Sequence, residues 1–316
     1  MPPTMFRVCL GHVGTGLVLA FATSAWAQTT TAKPAARCTA TGDLEIHELT
    51  SAVFHNTRKL RVLLPAGYRD PANASRQYPV LYLNDGQNLF DVCTAIFGPK
   101  EWQVDESAIR LIAEGRVEPL IIVGIDNAGR HEQARLQEEQ RVGSRPNEYL
   151  PWPDSGLEPF IPVVHGKDYP RFLTGEVMPF IERHYRVKTG PASTGLGGSS
   201  YGALITLYVI EHTPGVFGHV LIESPSVYVD DYHILKEGAD DHDWPARLYF
   251  GAGTEETPSD SPLQLPADVK KVVQLLGRNG VSRDRILVNI TAGKHNEDAW
   301  ARRFPTALTF LFPRQH

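Results

Sequence analysis

Gly198-Ser199-Ser200-Tyr201-Gly202 has the residue types and spacing of a nucleophile turn, with Ser200 at its tip. A short strand-like run precedes it, and Ala203-Leu204-Ile205-Thr206-Leu207-Tyr208 reads as a helix after it. The chain must reverse direction within these few residues, and a side chain at Gly198 or Gly202 would collide with the adjacent strand or helix. The reversal holds the hydroxyl out where a substrate reaches it. G-x-S-x-G alone is a weak pattern, so the rest of the chain has to supply its partners.

A serine hydroxyl is a poor nucleophile at neutral pH. It needs a base within hydrogen-bond reach and a carboxylate to fix the tautomer of that base. In a strand–turn–helix setting of this kind the chain order is Ser, then acid, then His. Of twelve histidines, His295 stands in Ala292-Gly293-Lys294-His295-Asn296-Glu297-Asp298-Ala299-Trp300, after the last strand and before the last helix. The acid belongs on the loop after the penultimate strand, where Leu248-Tyr249-Phe250-Gly251-Ala252-Gly253-Thr254-Glu255-Glu256 offers two adjacent glutamates. Only one of them can face His295, and spacing does not choose between Glu255 and Glu256. Glu297 and Asp298 follow the histidine in its own loop and are poorer choices, and Glu223 is an outlier at the end of the preceding strand. Acyl transfer also needs donors for the developing oxyanion. The backbone N–H of Tyr201 supplies one, and Asn84-Asp85-Gly86-Gln87-Asn88, directly after the third strand, is expected to supply the other from Gln87.

The elements that must hold these residues alternate along the chain. Residues 44–54 and 57–65 read as two early strands, and 78–84, 119–125, 220–223, 247–251 and 286–290 as short apolar strands. Residues 102–114, 169–185, 267–278 and 299–312 have helical spacing. Strands alternating with such helices imply a mostly parallel central sheet with helices on both faces and its functional edge at the carboxyl ends of the strands. The stretch from Asn127 to about Gly166 fits no such unit. It is expected to be a lid-like insertion, with a solvated surface loop as the alternative, since a charge run alone is usually a solvated face. Within it Arg145 and Tyr149 are candidates for binding a carboxylate or an aromatic group.

The chain has 316 residues, 42% hydrophobic and 21% charged, enough for one large α/β domain. Val8 to Ser24 are largely apolar, and Ala25-Trp26-Ala27 supplies a cleavage pattern, so residues 1–27 read as a signal peptide. The glycines in the apolar run argue against stable membrane insertion once the signal is cleaved. Residues 28–43 read as a flexible leader and 44–316 as the catalytic domain, giving a periplasmic or secreted protein. Loss of Met1 to Ala27 leaves 30 basic against 36 acidic residues, which does not suit a nucleic-acid binder. Cys38 and Cys93 remain, and an oxidising compartment invites a disulfide, with two free thiols as the alternative. Asp240-Asp241-His242-Asp243 has no full metal-ligand set around it, and adjacent acids in a polar loop are usually solvated. No metal or cofactor is expected.

Several blocks together resemble the putative-esterase family of α/β-hydrolases. They are Tyr78 to Phe90, Val123-Gly124-Ile125-Asp126-Asn127, Glu148-Tyr149-Leu150-Pro151-Trp152, Val177 to Glu182, Tyr185-Arg186-Val187, the Ser200 pentapeptide, Ser224-Pro225-Ser226 and His295 to Trp300. They run in the family's order and cover nearly everything after residue 44. The family includes ferric-siderophore esterases, S-formylglutathione hydrolases, feruloyl and acetyl-xylan esterases and mycolyltransferases, and this chain looks most like the siderophore-esterase-like branch. The resemblance implies the α/β-hydrolase fold and a serine carboxylic-ester hydrolase acting on a small-molecule ester through an acyl-enzyme on Ser200. It also implies the acid, which in that branch falls three residues after a glycine in Gly-Thr-x-Glu and so at Glu256. An acyltransferase would use the same three residues, and a binding protein could keep the fold without turnover. The segment from Asn127 to Glu148 is longer than usual for the family, so substrate preference does not transfer. An exported location counts against the cytosolic substrate of S-formylglutathione hydrolase.

Overall fold

The computed structural model describes residues 37–128, 145–155, 163–238, 243–257 and 264–314. The signal peptide and most of the leader lie outside these residues, as do much of the 127–166 insertion and Asp240-Asp241-His242.

β1 (Asp43–Thr50) and β2 (Thr57–Leu64) form an antiparallel hairpin in which Thr50 pairs with Thr57. The first strand stops before Phe54, where the apolar pattern alone would carry it. Ser51 N–H donates to Asn56 O at 2.8 Å, His55 takes φ 53°, and the Phe54 ring turns into the core. β3 (Val80–Asn84) and β4 (Ile121–Ile125) are buried on both faces. Because strand side chains alternate, Val80, Tyr82, Ile121, Val123 and Ile125 enter one core while Leu81, Leu83 and Ile122 enter the other. β5 (Thr194–Ser199), β6 (His219–Glu223), β7 (Arg247–Gly253) and β8 (Ile286–Thr291) complete a sheet of order β1-β2-β4-β3-β5-β6-β7-β8. Every neighbour pair from β4 to β8 is parallel, and β1 and β2 are the antiparallel edge.

The helices are α1 (Val104–Ala113), α2 (Arg145–Tyr149), α3 (Tyr169–Phe172), α4 (Met178–His184), α5 (Tyr201–His212), α6 (Val229–Glu237), α7 (Leu265–Arg278) and α8 (Glu297–Leu311). A π turn, Leu173–Val177, joins α3 to α4. α1 and α8 cover one face of the sheet through Val104, Leu111, Trp300, Phe304 and Leu308. α3, α4, α5 and α7 cover the other through Phe172, Ile181, Leu204 and Val272. α5 is apolar on all sides, and every residue from Gly202 to Glu211 is buried, as a helix at the centre of a layer must be. Truncating a side chain such as Leu204 to alanine there costs about 2–5 kcal/mol. This is the α/β-hydrolase architecture, a mostly parallel sheet flanked by helices.

The end of the expected leader is fixed rather than loose. Cys38 and Cys93 form a disulfide with Cα atoms 5.1 Å apart. Thr39 N–H donates to Asp91 Oδ1 at 3.0 Å, and Thr41 donates to Asp105 Oδ2 through both its N–H and its hydroxyl. No helix among the described residues is long and apolar enough to cross a membrane.

Candidate active site

Parallel strands bring their carboxyl ends to one edge, and three of those ends here carry a polar residue at positive φ. They are Asp85 after β3 (62°), Ser200 after β5 (58°) and Ser224 after β6 (46°). Non-glycine residues adopt such φ values only when the surroundings impose them, and they cluster at functional sites. At Ser200 the constraint is visible. Its N–H donates to Glu223 O at 3.0 Å, and its carbonyl receives Ala203 N–H and Leu204 N–H as α5 begins. Gly198 is required by the space available, and Gly202 is closely confined. A Cβ on Gly198 would lie 2.7 Å from Gly202 O, and one on Gly202 would lie 3.0 Å from Asp85 Oδ2.

Of the two adjacent glutamates, Glu256 is the one brought to the histidine. Its Oε2 is 3.0 Å from His295 Nδ1, while Glu255 is exposed. The Glu256 carboxylate is shut off from solvent, and its other oxygen accepts from Ser224 Oγ at 2.6 Å and from Gly253 N–H. Ser224 Oγ in turn accepts from Trp300 Nε1 at 2.9 Å, and the Trp300 ring stands edge-on to the His295 ring with centroids 5.1 Å apart. Asn296 caps α8 by accepting Ala299 N–H at 3.0 Å, which fixes where the histidine loop ends. Ser200 Oγ is hydrogen-bonded to Ser226 Oγ at 3.4 Å, and no bond joins it to His295. Such bonds commonly close only when substrate is bound.

Tyr201 is the first residue of α5, so its backbone N–H has no acceptor within the helix. Gln87 lies in a 3-10 turn, Gly86–Asn88, directly after β3, and it is Asn88, one residue on, whose N–H bonds back to Asp85 O. The Gln87 side chain is buried. Its Oε1 accepts Asn127 N–H at 3.2 Å, and its Nε2 has no partner.

Arg145 and Tyr149 do not have the placement expected of substrate contacts. The Arg145 guanidinium grips both oxygens of Asp85, Nε to Oδ1 at 2.6 Å and Nη2 to Oδ2 at 2.7 Å, and Nη2 also donates to Ser199 O at 3.1 Å. Burial works against its charge, but the Asp85 carboxylate outweighs that and holds its pKa above the ordinary value. Tyr149 is wholly buried, and its hydroxyl accepts Asp85 N–H at 3.3 Å. A buried guanidinium must be paired, and pairing it with Asp85 turns both residues into supports for the loop after β3. Asn84 ties the same loop to α5, donating to Gly202 O at 3.0 Å and accepting from Tyr169 OH at 2.6 Å.

Glu223, an outlier as the acid, lies behind the site. It is fully buried, and Arg303 holds its Oε2 through Nε at 3.0 Å and Nη2 at 2.9 Å. Burial pushes the Glu223 carboxyl up to about 7 against the pull of Arg303, with Glu256 adding to the rise. Ser224 and Trp300 stand in the family-like blocks without an assigned role, and Arg303 lies outside them. The signal for Arg303 was its place on the α8 stripe with Trp300, Phe304, Ala307 and Leu308, where an arginine must be buried and therefore paired.

Known proteins match this arrangement over most of its length. The uncharacterised protein YbbA of Bacillus subtilis (strain 168) is 27% identical over 266 residues, which are 81% of this chain and 92% of that protein. The ferulic acid esterase AmCE1/Fae1A of Anaeromyces mucronatus superposes with a TM-score of 0.59 at 20% identity, over 89% of this chain and 92% of that one. The enterobactin esterase FES of Shigella flexneri superposes with a TM-score of 0.61 at 17% identity, over 86% of this chain and 60% of that one. At these identities the superpositions show the shared fold. The model described as putative esterase matches residues 51–311, from the hairpin turn after β1 to the last residue of α8, and the chain belongs to that family of hydrolases acting on esters.

Proposed function

We propose that the chain is a serine carboxylic-ester hydrolase in which Ser200 is the nucleophile, His295 the general base and Glu256 the residue that orients the base. The observation that carries this reading is the contact of the solvent-excluded Glu256 carboxylate with His295 Nδ1 at 3.0 Å. That contact places the proton on Nδ1 and leaves Nε2 as the basic nitrogen. Nε2 takes the Ser200 proton as Oγ attacks the ester carbonyl, and it returns the proton to the departing alcohol. Water then repeats the sequence on the acyl-enzyme, and the acid is released. The N–H groups of Tyr201 and Gln87 receive the oxyanion in both halves. Each such donor is typically worth 10²- to 10³-fold in kcat.

The substrate is a small-molecule ester, and the three residues need no metal or cofactor to act. The Cys38–Cys93 disulfide supports an oxidising location, periplasmic or secreted, in keeping with residues 1–27 acting as a signal peptide. The test is hydrolysis of an ester panel by the mature protein and by Ser200→Ala. The panel comprises short and long acyl esters, feruloyl and acetyl-sugar esters and a ferric trilactone siderophore. Turnover that disappears in Ser200→Ala is the expected result. Equal turnover by both proteins refutes the mechanism.

A further inference from the structure

Behind Glu256 sits a positive charge that the three-residue mechanism does not use. Arg303 is 2% exposed, and its Nη2 reaches three groups at once. It lies 2.9 Å from Glu223 Oε2, 3.4 Å from Ser224 Oγ and 3.5 Å from Glu256 Oε1. A plain buried ion pair would be complete with Glu223 alone. The additional contact is with the oxygen of Glu256 opposite the one that faces His295. The other two groups belong to the residues that fix the site: Glu223 O holds the Ser200 N–H, and Ser224 Oγ donates to Glu256.

We infer that Arg303 is a positioning residue for hydrolysis, holding Glu256 from behind so that Oε2 stays aimed at His295. Glu223 anchors the guanidinium to the strand end that carries the Ser200 turn. The inference rests on the roles proposed above for Ser200, His295 and Glu256. The groups that face Arg303 are Glu223 from β6, Tyr249 from β7 and Glu256 from the loop after β7, with His295 beyond Glu256. On its own helix, Arg302 is turned outward and paired with Asp298. Two carboxylates thus share one guanidinium in a site closed to water. Removing the guanidinium leaves both without a counter-charge, and proton uptake by the cluster becomes favourable.

The experiment uses the mature chain with Arg303→Met, Arg303→Lys and the double variant Arg303→Met/Glu223→Gln, reading melting temperature, kcat, KM and the pH–rate profile. Arg303→Met strands a buried carboxylate and loses stability, and the double variant regains most of it because the amide introduced at position 223 carries no charge. Activity is expected to behave differently. Both Met variants lose about 100-fold in kcat, the size of effect that a misplacement of about 1 Å produces, with KM within threefold. The acidic limb of their pH profile moves to higher pH. Arg303→Lys keeps the charge but not the fork and falls between, about tenfold below the parent, and it carries the test if neither Met variant folds. A folded double variant with the parent's kcat and pH profile, or Arg303→Lys with the parent's kcat, overturns the inference. Ser200→Ala and Glu256→Gln are run alongside. Parent-like activity in those two sinks the proposed mechanism itself, whereas their inactivity beside active Arg303 variants sinks only the role of Arg303.

Discussion

Glu256→Gln tests the site at its most constrained point. The carboxylate at 256 is held from four directions: Oε2 faces His295 Nδ1, Oε1 accepts from Ser224 Oγ and Gly253 N–H, and the Arg303 guanidinium is ion-paired to Oε1 at 3.5 Å. An amide is the same size but offers only one accepting atom. If its oxygen faces His295, its NH₂ meets two donors and a guanidinium where a carboxylate oxygen stood. If the NH₂ faces His295, Nδ1 must accept, the ring proton moves to Nε2, and the imidazole can no longer take a proton from Ser200. The second arrangement keeps both donors and the guanidinium facing an oxygen and is the one expected. The wrong tautomer costs about 10⁴-fold in kcat, equivalent to about 5.5 kcal/mol of barrier. The assay is steady-state hydrolysis of a chromogenic acetyl ester by the parent, Glu256→Gln and Glu255→Gln, with circular dichroism melts as the check on folding. Glu255 is exposed, and its replacement should leave kcat within twofold. A folded Glu256→Gln with more than a tenth of the parent's kcat, or a larger loss from Glu255→Gln, refutes the reasoning.

Two further predictions concern the disulfide and a carboxyl beside it. The Cys38–Cys93 bridge spans 55 positions, and a loop of that length stabilises by about 4 kcal/mol in the chain-entropy model, so the Cys38→Ser/Cys93→Ser variant should unfold at clearly lower denaturant concentration. Reductant should lower the midpoint of the parent toward that of the variant and leave the variant unchanged, and equal midpoints for the two oxidised proteins would contradict it. Beside the bridge, burial raises the Glu101 carboxyl to about 7, with Asp105 and Asp91 adding to the rise and Gln103 N–H and Thr39 Oγ opposing it. Its folded value lies above its unfolded one, so its contribution is fully present below about 4.3 and is lost as pH rises through about 7. Glu101→Gln should therefore gain on the parent in melting temperature between pH 5 and pH 8, and a loss over that interval would reverse the sign and refute the reading.

The strands and most helices were legible because their apolar periods are clean. β3 is a continuous apolar run that ends at Asn84, β4 is an apolar run of five, and α5 is bounded by the Ser200 turn itself. The limits of that legibility are local. The hairpin turn at Ser51 to Asn56 hid inside an apolar run because Phe54 serves the core from a loop. The pairing of Cys38 with Cys93 depends on where residues 37–42 fold back, which hydrogen bonds to Asp91 and Asp105 decide. Arg145 and Tyr149 looked like substrate groups because sequence shows their chemistry but not their burial. Their pairing with Asp85 joins positions 60 and 64 residues apart, and no local pattern announces it.

Ser200, Glu256 and His295 span 95 positions, yet they leave the carboxyl ends of β5, β7 and β8, three strands of one parallel run in which only β6 intervenes. That intervening strand accounts for the rest of the arrangement. β6 ends in Glu223, with Ser224 directly after it, and these lie between the nucleophile and the acid. The backbone of Glu223 holds the Ser200 turn, and the hydroxyl of Ser224 holds Glu256. A fold that places nucleophile and acid on strands flanking a third must fill the end of the middle strand with groups that bond to both sides. Here that end is polar and buried, which without a cation would leave the Glu223 carboxylate uncompensated. Arg303 resolves that conflict from α8, the helix that begins just after His295. The same helix that closes the histidine loop thereby supplies the charge that the middle strand requires.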